Sequence, residues 1–173
     1  MKKIVSIVVF AVMPALVLAQ ETSKSHCLPE EKLILNANMG RGIDDSFKPN
    51  GKVLSLCADN SKEPMNRVVY RYGKIGAVEL EQIATPQAKL NVDSGYVPKT
   101  PINIFWFQKG NFIYAVKEFS GMGNLLKLEV YSGKNIISEL YAREFDSNIF
   151  SIDFSRPKSP ALIFREYPFP KDL

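Results

Sequence analysis

Short runs in which apolar and polar residues alternate recur along the chain after residue 20 and predict an all-β protein. They are rich in Val, Ile, Phe and Tyr and are separated by Gly, Asn, Asp, Ser and Pro, the residues of turns. Helical spacing of apolar residues is almost absent. The predicted strands are Lys32–Ala37, Lys52–Ala58, Arg67–Tyr72, Ala77–Gln82, Ile102–Gln108, Phe112–Phe119, Leu125–Tyr131, Asn135–Arg143, Ile149–Phe154 and Leu162–Glu166.

Residues 102–143 predict a four-stranded antiparallel meander. Short turns fit at Gly110 and Gly133, and apolar residues alternate with charged ones in Leu125–Tyr131. The run Phe112–Phe119 is apolar on both faces until its end, as in a central strand that is covered on two sides. One flat sheet cannot bury so many apolar positions, so we expect an antiparallel β-sandwich or barrel.

Two stretches are predicted to be long connections between strands. Gly40–Gly51 contains several glycines and two aspartates, and Ala84–Pro101 contains three prolines. Long ordered loops often carry function, so both are candidates for a binding region.

The first nineteen residues have the layout of a secretory signal. Lys2 and Lys3 precede a short apolar run, and small residues lead up to Ala19. The run is too short for a membrane-spanning helix, which needs about 20 residues, and Pro14 interrupts it. We expect cleavage after Ala19 and a periplasmic or secreted protein with no transmembrane segment after cleavage.

Cleavage would reduce the 173 residues by 19 and leave 154, which suits one domain, residues 20–173. The loss of Lys2 and Lys3 lowers the formal charge from +4 to +2. Such a charge gives no concentrated basic face for nucleic acid, so we expect no nucleic-acid partner. A membrane-surface role through a basic amphipathic helix is not supported either, because no such helix is predicted.

Cys27 and Cys57 are the only cysteines, and in an exported protein we expect them to form a disulfide. The loop that this bridge closes corresponds to about 3.7 kcal/mol of stabilisation in the chain-entropy model. A reactive thiol beside His26 is the alternative, which an oxidising compartment disfavours.

No catalytic constellation is recognisable. His26 is the only histidine, the G-x-S-x-G pattern is absent, and one histidine with two bridged cysteines cannot supply a zinc site. Asp44 and Asp45 lack the spacing of a calcium loop and fit a solvated turn. We therefore expect no catalytic residue, no metal and no cofactor.

A pair of carboxylates could still support glycoside hydrolysis. Glu79 and Glu81 are two residues apart on one strand and share a face, and Glu118 is a third candidate. The alternation of Val78 and Leu80 with these glutamates favours the solvated side of an edge strand instead.

Aromatic and arginine side chains suggest a binding surface at Tyr70, Arg71, Tyr72 and Trp106. Tyr70 and Tyr72 share one face of their strand, and Arg71 lies on the other. Such residues anchor protein partners and sugars, although packing in a sandwich core is an alternative role for them.

The segments Ser55–Cys57, Tyr70–Gly73 and Val78–Leu80 resemble those of small exported bacterial β-rich proteins of unassigned function. A similar architecture occurs in periplasmic inhibitors of lysozyme and in immunity proteins. The resemblance covers a third of the chain, implies a fold and transfers no functional residue.

These observations together predict a non-enzymatic exported binding protein, such as an inhibitor or immunity protein for an envelope-acting enzyme or toxin. Its partner would be a protein of the cell envelope or a carbohydrate. An enzyme that acts on envelope polysaccharide through a carboxylate pair and a structural envelope protein are the alternatives.

Overall fold

The computed structural model describes residues 24–59, 65–97, 100–120, 124–147 and 161–165. One 3-10 helix, Asp44–Ser46, accompanies the strands in these ranges. The strands are β1 (Glu31–Arg41), β2 (Lys48–Asp59), β3 (Val68–Lys74), β4 (Ala77–Ala84), β5 (Leu90–Val97), β6 (Thr100–Lys109), β7 (Phe112–Phe119), β8 (Leu125–Ser132), β9 (Asn135–Ala142), β10 (Phe145–Ser147) and β11 (Leu162–Arg165). The predicted strand Ile149–Phe154 lies outside the described residues.

The strands form one sheet in the order β11-β5-β6-β7-β8-β9-β1-β2-β3-β4, and β10 also pairs with β1. All described pairings are antiparallel except that of β11 with β5. The predicted all-β class and the predicted meander, now β6 to β9, are confirmed. The choice between a sandwich and a closed barrel stays a prediction.

The expectation of a long loop over Ala84–Pro101 is wrong. β4 extends through Ala84, β5 occupies Leu90–Val97, and β6 already begins at Thr100. Leu90 and Val92 are buried in the core, so this strand alternates like the others. Polar neighbours and prolines concealed that short alternation in the sequence.

The other expected loop, Gly40–Gly51, is also shorter than predicted. β1 continues to Arg41 and β2 begins at Lys48, so only residues 42–47 connect them. Asp44 and Asp45 are exposed in the 3-10 turn, as the solvated-turn interpretation expected.

One face of the sheet is curled onto itself around the main core. Tyr70 of β3 meets Phe107 of β6 with ring centroids 5.0 Å apart, although six pairings separate these strands in the sheet order. Lys109 of β6 also donates to the backbone carbonyl of Glu81 on β4, at 3.0 Å. Curling lets apolar residues of β1 to β9 face one another in one core cluster.

A second, smaller apolar cluster lies on the opposite face of β6, β7 and β8. It includes Ile102, Ile104 and Trp106, which alternate with Phe105 and Phe107 of the main core. The period-two alternation of a strand places these two sets of side chains on opposite faces of β6. The central strands therefore pack on both sides, as their continuous apolar character requires.

The predicted disulfide between Cys27 and Cys57 is confirmed. It joins the segment before β1 to β2, with the two Cα atoms 5.5 Å apart. His26 reinforces this junction, because its N–H donates to Ser55 Oγ at 3.0 Å and its ring contacts the carbonyl of Gly73 at 3.1 Å. The described residues contain no helix long and apolar enough to cross a membrane.

The first prediction concerns this disulfide. Replacement of Cys27 and Cys57 together by Ala should lower the free energy of unfolding by about 3–4 kcal/mol, because the unfolded chain regains the entropy of an open loop. Chemical denaturation measures the loss. A reducing agent should destabilise the unchanged protein and leave the double variant unaffected. Equal stability of the two proteins would contradict the prediction.

Candidate functional site

A cleft of 380 Å³ opens between the β1–β2 hairpin and the β9–β10 junction. It is lined by Asn38, Met39, Phe47, Pro49, Gly51, Lys52, Arg143 and Glu144. An aromatic ring, two cations, a carboxylate and an amide therefore face one concave surface. This mixture can contact both the apolar and the charged groups of a ligand.

Two glycines allow the β1–β2 hairpin to shape its side of the cleft. A Cβ at Gly40 would lie 2.6 Å from the ring of Phe47 and 2.5 Å from the carbonyl of Lys48, so only glycine permits this close approach. Gly42 has a positive φ of 81°. Ser46 then closes the tip, since its hydroxyl donates to the carbonyl of Ile43 at 2.7 Å.

A bulge forms the other side of the cleft. β9 and β10 both pair with β1, through Gly40 with Tyr141 and Ala37 with Phe145. Between these two pairs β1 advances by three residues, whereas the segment from Tyr141 to Phe145 advances by four. The extra residue lies at the exposed Arg143–Glu144 step. The bulge turns these two charged side chains toward the hairpin.

Tyr72, one of the predicted binding residues, borders this cleft through Lys52. The Lys52 ammonium lies 5.4 Å from the centre of the Tyr72 ring and 2.6 Å from Glu79 Oε2. The hydrogen bond to Glu79 raises the pKa of Lys52. Asn50 donates to the Tyr72 hydroxyl at 3.3 Å, so the hairpin and β3 form one continuous surface.

Arg71, another predicted binding residue, lies at the centre of an ion-pair network. Its side chain is 6% exposed, and its guanidinium donates to both carboxylate oxygens of Glu31, at 2.5 and 3.0 Å. It also donates to Glu81 at 2.8 Å and to the carbonyl of His26 at 3.0 Å. Arg67 adds a second cation to Glu31, at 2.7 Å. Arg71 thus joins β3 to β4 and to the segment that carries the disulfide.

This network controls the ionisation of Glu31. Burial alone would raise the pKa of its carboxyl, but hydrogen bonds from Arg71, the Leu28 N–H and Arg67 outweigh burial and lower it from 4.5 to about 2. Folding therefore favours the charged form. The resulting stability is fully present above about pH 4.5 and is lost as the pH falls toward 2.

The second prediction follows from that shift. Glu31→Gln should cost about 3 kcal/mol of unfolding free energy at neutral pH, since each pKa unit corresponds to about 1.4 kcal/mol. Denaturation as a function of pH should show the difference shrinking between about pH 4.5 and pH 2. Glu30→Gln, a change at an exposed neighbour, is the matched control. A deficit that persists at pH 2 would refute this role of the charge.

Tyr70 and Trp106 are both buried. Tyr70 is 2% exposed in the main core, its pKa is raised by burial, and its hydroxyl has no hydrogen-bond partner in the described part of the chain. Trp106 is 8% exposed on the opposite face of the sheet, where its indole N–H donates to Asp93 at 2.7 Å. Of the four predicted binding residues, Tyr72 is the one that the structure places beside the cleft. A binding role for the set stays a prediction.

The face that carries Trp106 continues into a ladder of charges on β7, β8 and β9. Glu129 is 3% exposed and forms ion pairs with Lys117 at 2.5 Å and with Lys127 at 2.6 Å. Lys127 also reaches Glu139 at 2.5 Å. Burial would raise the pKa of Glu129, but the two lysines and Tyr131 hydrogen-bond to it and lower it. These charges satisfy one another across neighbouring strands.

The three candidate catalytic carboxyls have separate partners. Glu79 pairs with Lys52, and Glu81 pairs with Arg71. Both lie on β4, which ends the sheet order and has a largely exposed outer side, as the edge-strand interpretation predicted. Glu118 lies on β7 and is 2% exposed. None of the three lines the cleft.

Glu118 is the most deeply buried of these carboxyls. Burial raises its pKa, and hydrogen bonds from Ser147 and Asn103 only partly offset that effect. Asn103 in turn accepts a hydrogen bond from Ser94 at 2.8 Å. Because the unfolded chain loses this proton more readily, native stability should fall as the pH rises above the usual value of 4.5 toward the raised pKa.

The third prediction follows from the raised pKa of Glu118, which changes stability with pH in the direction opposite to that of Glu31. Glu118→Gln keeps the shape and hydrogen bonding of a protonated carboxyl, so its stability relative to the unchanged protein should increase as the pH rises above about 4.5. Thermal unfolding between pH 4 and pH 8 measures the trend. Glu144→Gln, an exposed change, should give a flat difference. A relative stability of Glu118→Gln that falls with pH would contradict the burial effect.

One group of potential metal ligands occurs among the described residues: Cys27, Glu31 and Cys57, with ligand atoms within 4.8 Å of one another. Both sulfurs belong to the disulfide and Glu31 is bonded to two arginines, so the group is not a metal site.

Sequence reasoning missed the side chains that line the cleft. Phe47 and Pro49 fall within the predicted loop Gly40–Gly51, whereas Lys52 begins the predicted strand Lys52–Ala58, so the sequence indicated part of the region but not the lining side chains. No sequence pattern indicated Arg143 and Glu144 as cleft residues. The bulge that positions them arises from pairing with β1, a strand distant in the chain, and such a bulge has no local sequence pattern.

No protein-family model matches this chain, and neither a curated protein nor a solved structure is significantly similar to it.

Proposed function

We propose that this protein is an exported, non-enzymatic binding protein whose partner is a protein of the cell envelope, an enzyme or toxin that it inhibits. The cleft between the β1–β2 hairpin and the β9–β10 bulge is the proposed binding site. The observation that carries the proposal is the grouping of Phe47, Lys52 and Arg143 around that cleft.

The chemistry of the cleft suits a protein segment. Aromatic and arginine side chains are enriched where protein partners bind most strongly. Phe47 is half-buried and Arg143 is exposed, so an arriving chain can cover both. In the described residues no acidic group is ion-paired with Arg143, which leaves it able to bind a carboxylate of the partner.

The scaffold supports binding with little reorganisation. The hairpin is fixed by the close approach at Gly40, and Lys52 and Tyr72 hold its base against β3. The disulfide and the Arg71 network add rigidity to the same strands. A surface that is ordered before binding loses less conformational entropy on association.

The competing enzymatic hypothesis depends on two carboxyls that share a pocket. Glu79, Glu81 and Glu118 each have different partners, and Glu144 is the one carboxyl among the cleft-lining residues. This arrangement favours binding over glycoside hydrolysis, which needs two carboxylates about 5–10 Å apart.

The fourth prediction tests the cleft. The purified exported protein is immobilised, and envelope proteins that it retains are identified and then titrated in pure form. Phe47→Ala and Arg143→Ala should each weaken that binding about tenfold or more, because each removes an anchor. Lys32→Ala is the matched control, since this exposed lysine lies at the start of β1, at the end of that strand opposite the β1–β2 hairpin.

Three outcomes would overturn the proposal. No envelope protein is retained, or both cleft variants bind as well as the unchanged protein, or Lys32→Ala weakens binding as much as they do. Binding to isolated envelope polysaccharide, with no protein partner, would replace the proposed partner by a carbohydrate.

A further inference from the structure

Two neighbouring hairpins end together at the end of the sheet that is remote from the cleft. Phe112, at the start of β7, pairs with Ser132, and Ser132 pairs with Asn135 at the start of β9. Adjacent strands lie about 4.8 Å apart, so the β6–β7 and β8–β9 turns are side by side. The cleft residue Arg143 follows the opposite end of β9.

These turns carry exposed apolar side chains. Phe112 is 39% exposed, Ile136 is 49% exposed and Ile137 is 56% exposed. The register shifts between Val130 and Tyr131, and Ile137 is the residue left without a Cα partner there. The bulge thus directs an additional large apolar residue to the surface. We call Phe112, Ile136 and Ile137 the apolar tip.

The charges carried by the two turn segments have one sign. Lys109 ends β6 and Lys134 lies in the β8–β9 turn, and residues 108–112 and 131–137 contain no Asp or Glu. The nearest carboxyls on these strands belong to Glu129 and Glu139, and both are ion-paired with Lys127. The tip therefore combines apolar side chains with a local positive charge.

The geometry points to the apolar tip as a docking surface for a membrane that bears anionic lipid headgroups. Apolar side chains at the end of a rigid sheet can enter the boundary between headgroups and acyl chains, while lysines beside them contact phosphate groups. Lys134 is exposed in its turn, and Lys109 is exposed beside it and keeps its positive charge, because its ammonium donates to a backbone carbonyl, that of Glu81, and not to a carboxylate.

A lipid surface fits better than a second protein. Three side chains on two turns are a small part of the 20–30 residues that a stable protein interface uses on each side. Binding to a bilayer requires no shape complementarity, because lipids can rearrange around a narrow tip. No basic amphipathic helix is predicted for membrane binding, and the apolar and basic groups of this surface belong to strand ends and a turn.

The fifth prediction is vesicle binding. The exported protein, with its N-terminus read by mass spectrometry so that residues 1–19 are known to be absent, is sedimented with phosphatidylcholine vesicles that contain about one quarter phosphatidylglycerol. Ile136→Asn together with Ile137→Asn should weaken the partitioning at least about tenfold, because two apolar side chains no longer leave water. Added salt should weaken it as well.

Ile43→Asn is the matched control, because Ile43 is 44% exposed on the β1–β2 hairpin at the opposite end of the sheet. This variant should bind vesicles as the unchanged protein does. Circular dichroism of each variant verifies the fold, and Lys134→Gln tests the charge without touching an apolar residue.

Four results would overturn the inference. The protein fails to bind the anionic vesicles, or the double isoleucine variant binds them fully while folded, or Ile43→Asn loses as much binding as the double variant. The fourth is a concentration-dependent dimer that the double variant abolishes, which would assign the apolar tip to a second copy of the chain. Loss of partner binding at the cleft would not produce any of these, because the two sites are tested by different variants.

Discussion

The contact of Tyr70 with Phe107 is the constraint on which the rest of the molecule depends. A single sheet has no second layer to cover its apolar face, so that face has to be curled until strands far apart in the order meet. Lys109 adds to this contact between distant strands, because its ammonium donates to the backbone carbonyl of Glu81 on β4 at 3.0 Å. Polar networks can then form on the outer face of the same strands, because the side chains of the inner face already pack in the core.

Those outer networks show two ways of keeping charge on a sheet. On β3 the cations gather around Glu31, and folding lowers the pKa of that carboxyl. On β7 to β9 lysines and glutamates alternate between neighbouring strands. Glu118, by contrast, faces neutral partners and is held toward its protonated form. A fall in pH below about 4.5 therefore acts on the Glu31 network, and a rise in pH above about 4.5 acts on Glu118.

Much of the fold was predictable because it depends on local alternation. The meander follows from the period of two, and the disulfide follows from the pairing expected of two cysteines in a chain with a predicted secretory signal. The cleft was not predictable, since Arg143 reaches the hairpin only through the pairing of β9 and β10 with β1. Arg71 was recognised as notable, but its partner Glu31 lies forty residues earlier in the chain, and no local pattern connects them.

The parallel pairing of β11 with β5 affects the order in which the chain can fold. β1 to β4 and β6 to β9 pair with neighbours in sequence, which favours early formation. The outer edge of β5 is covered by Leu162–Arg165. Its backbone groups therefore stay unpaired until a segment about seventy residues further along the chain has formed β11. Until that segment has paired with it, β5 presents open backbone groups, which favour edge-to-edge aggregation during this interval.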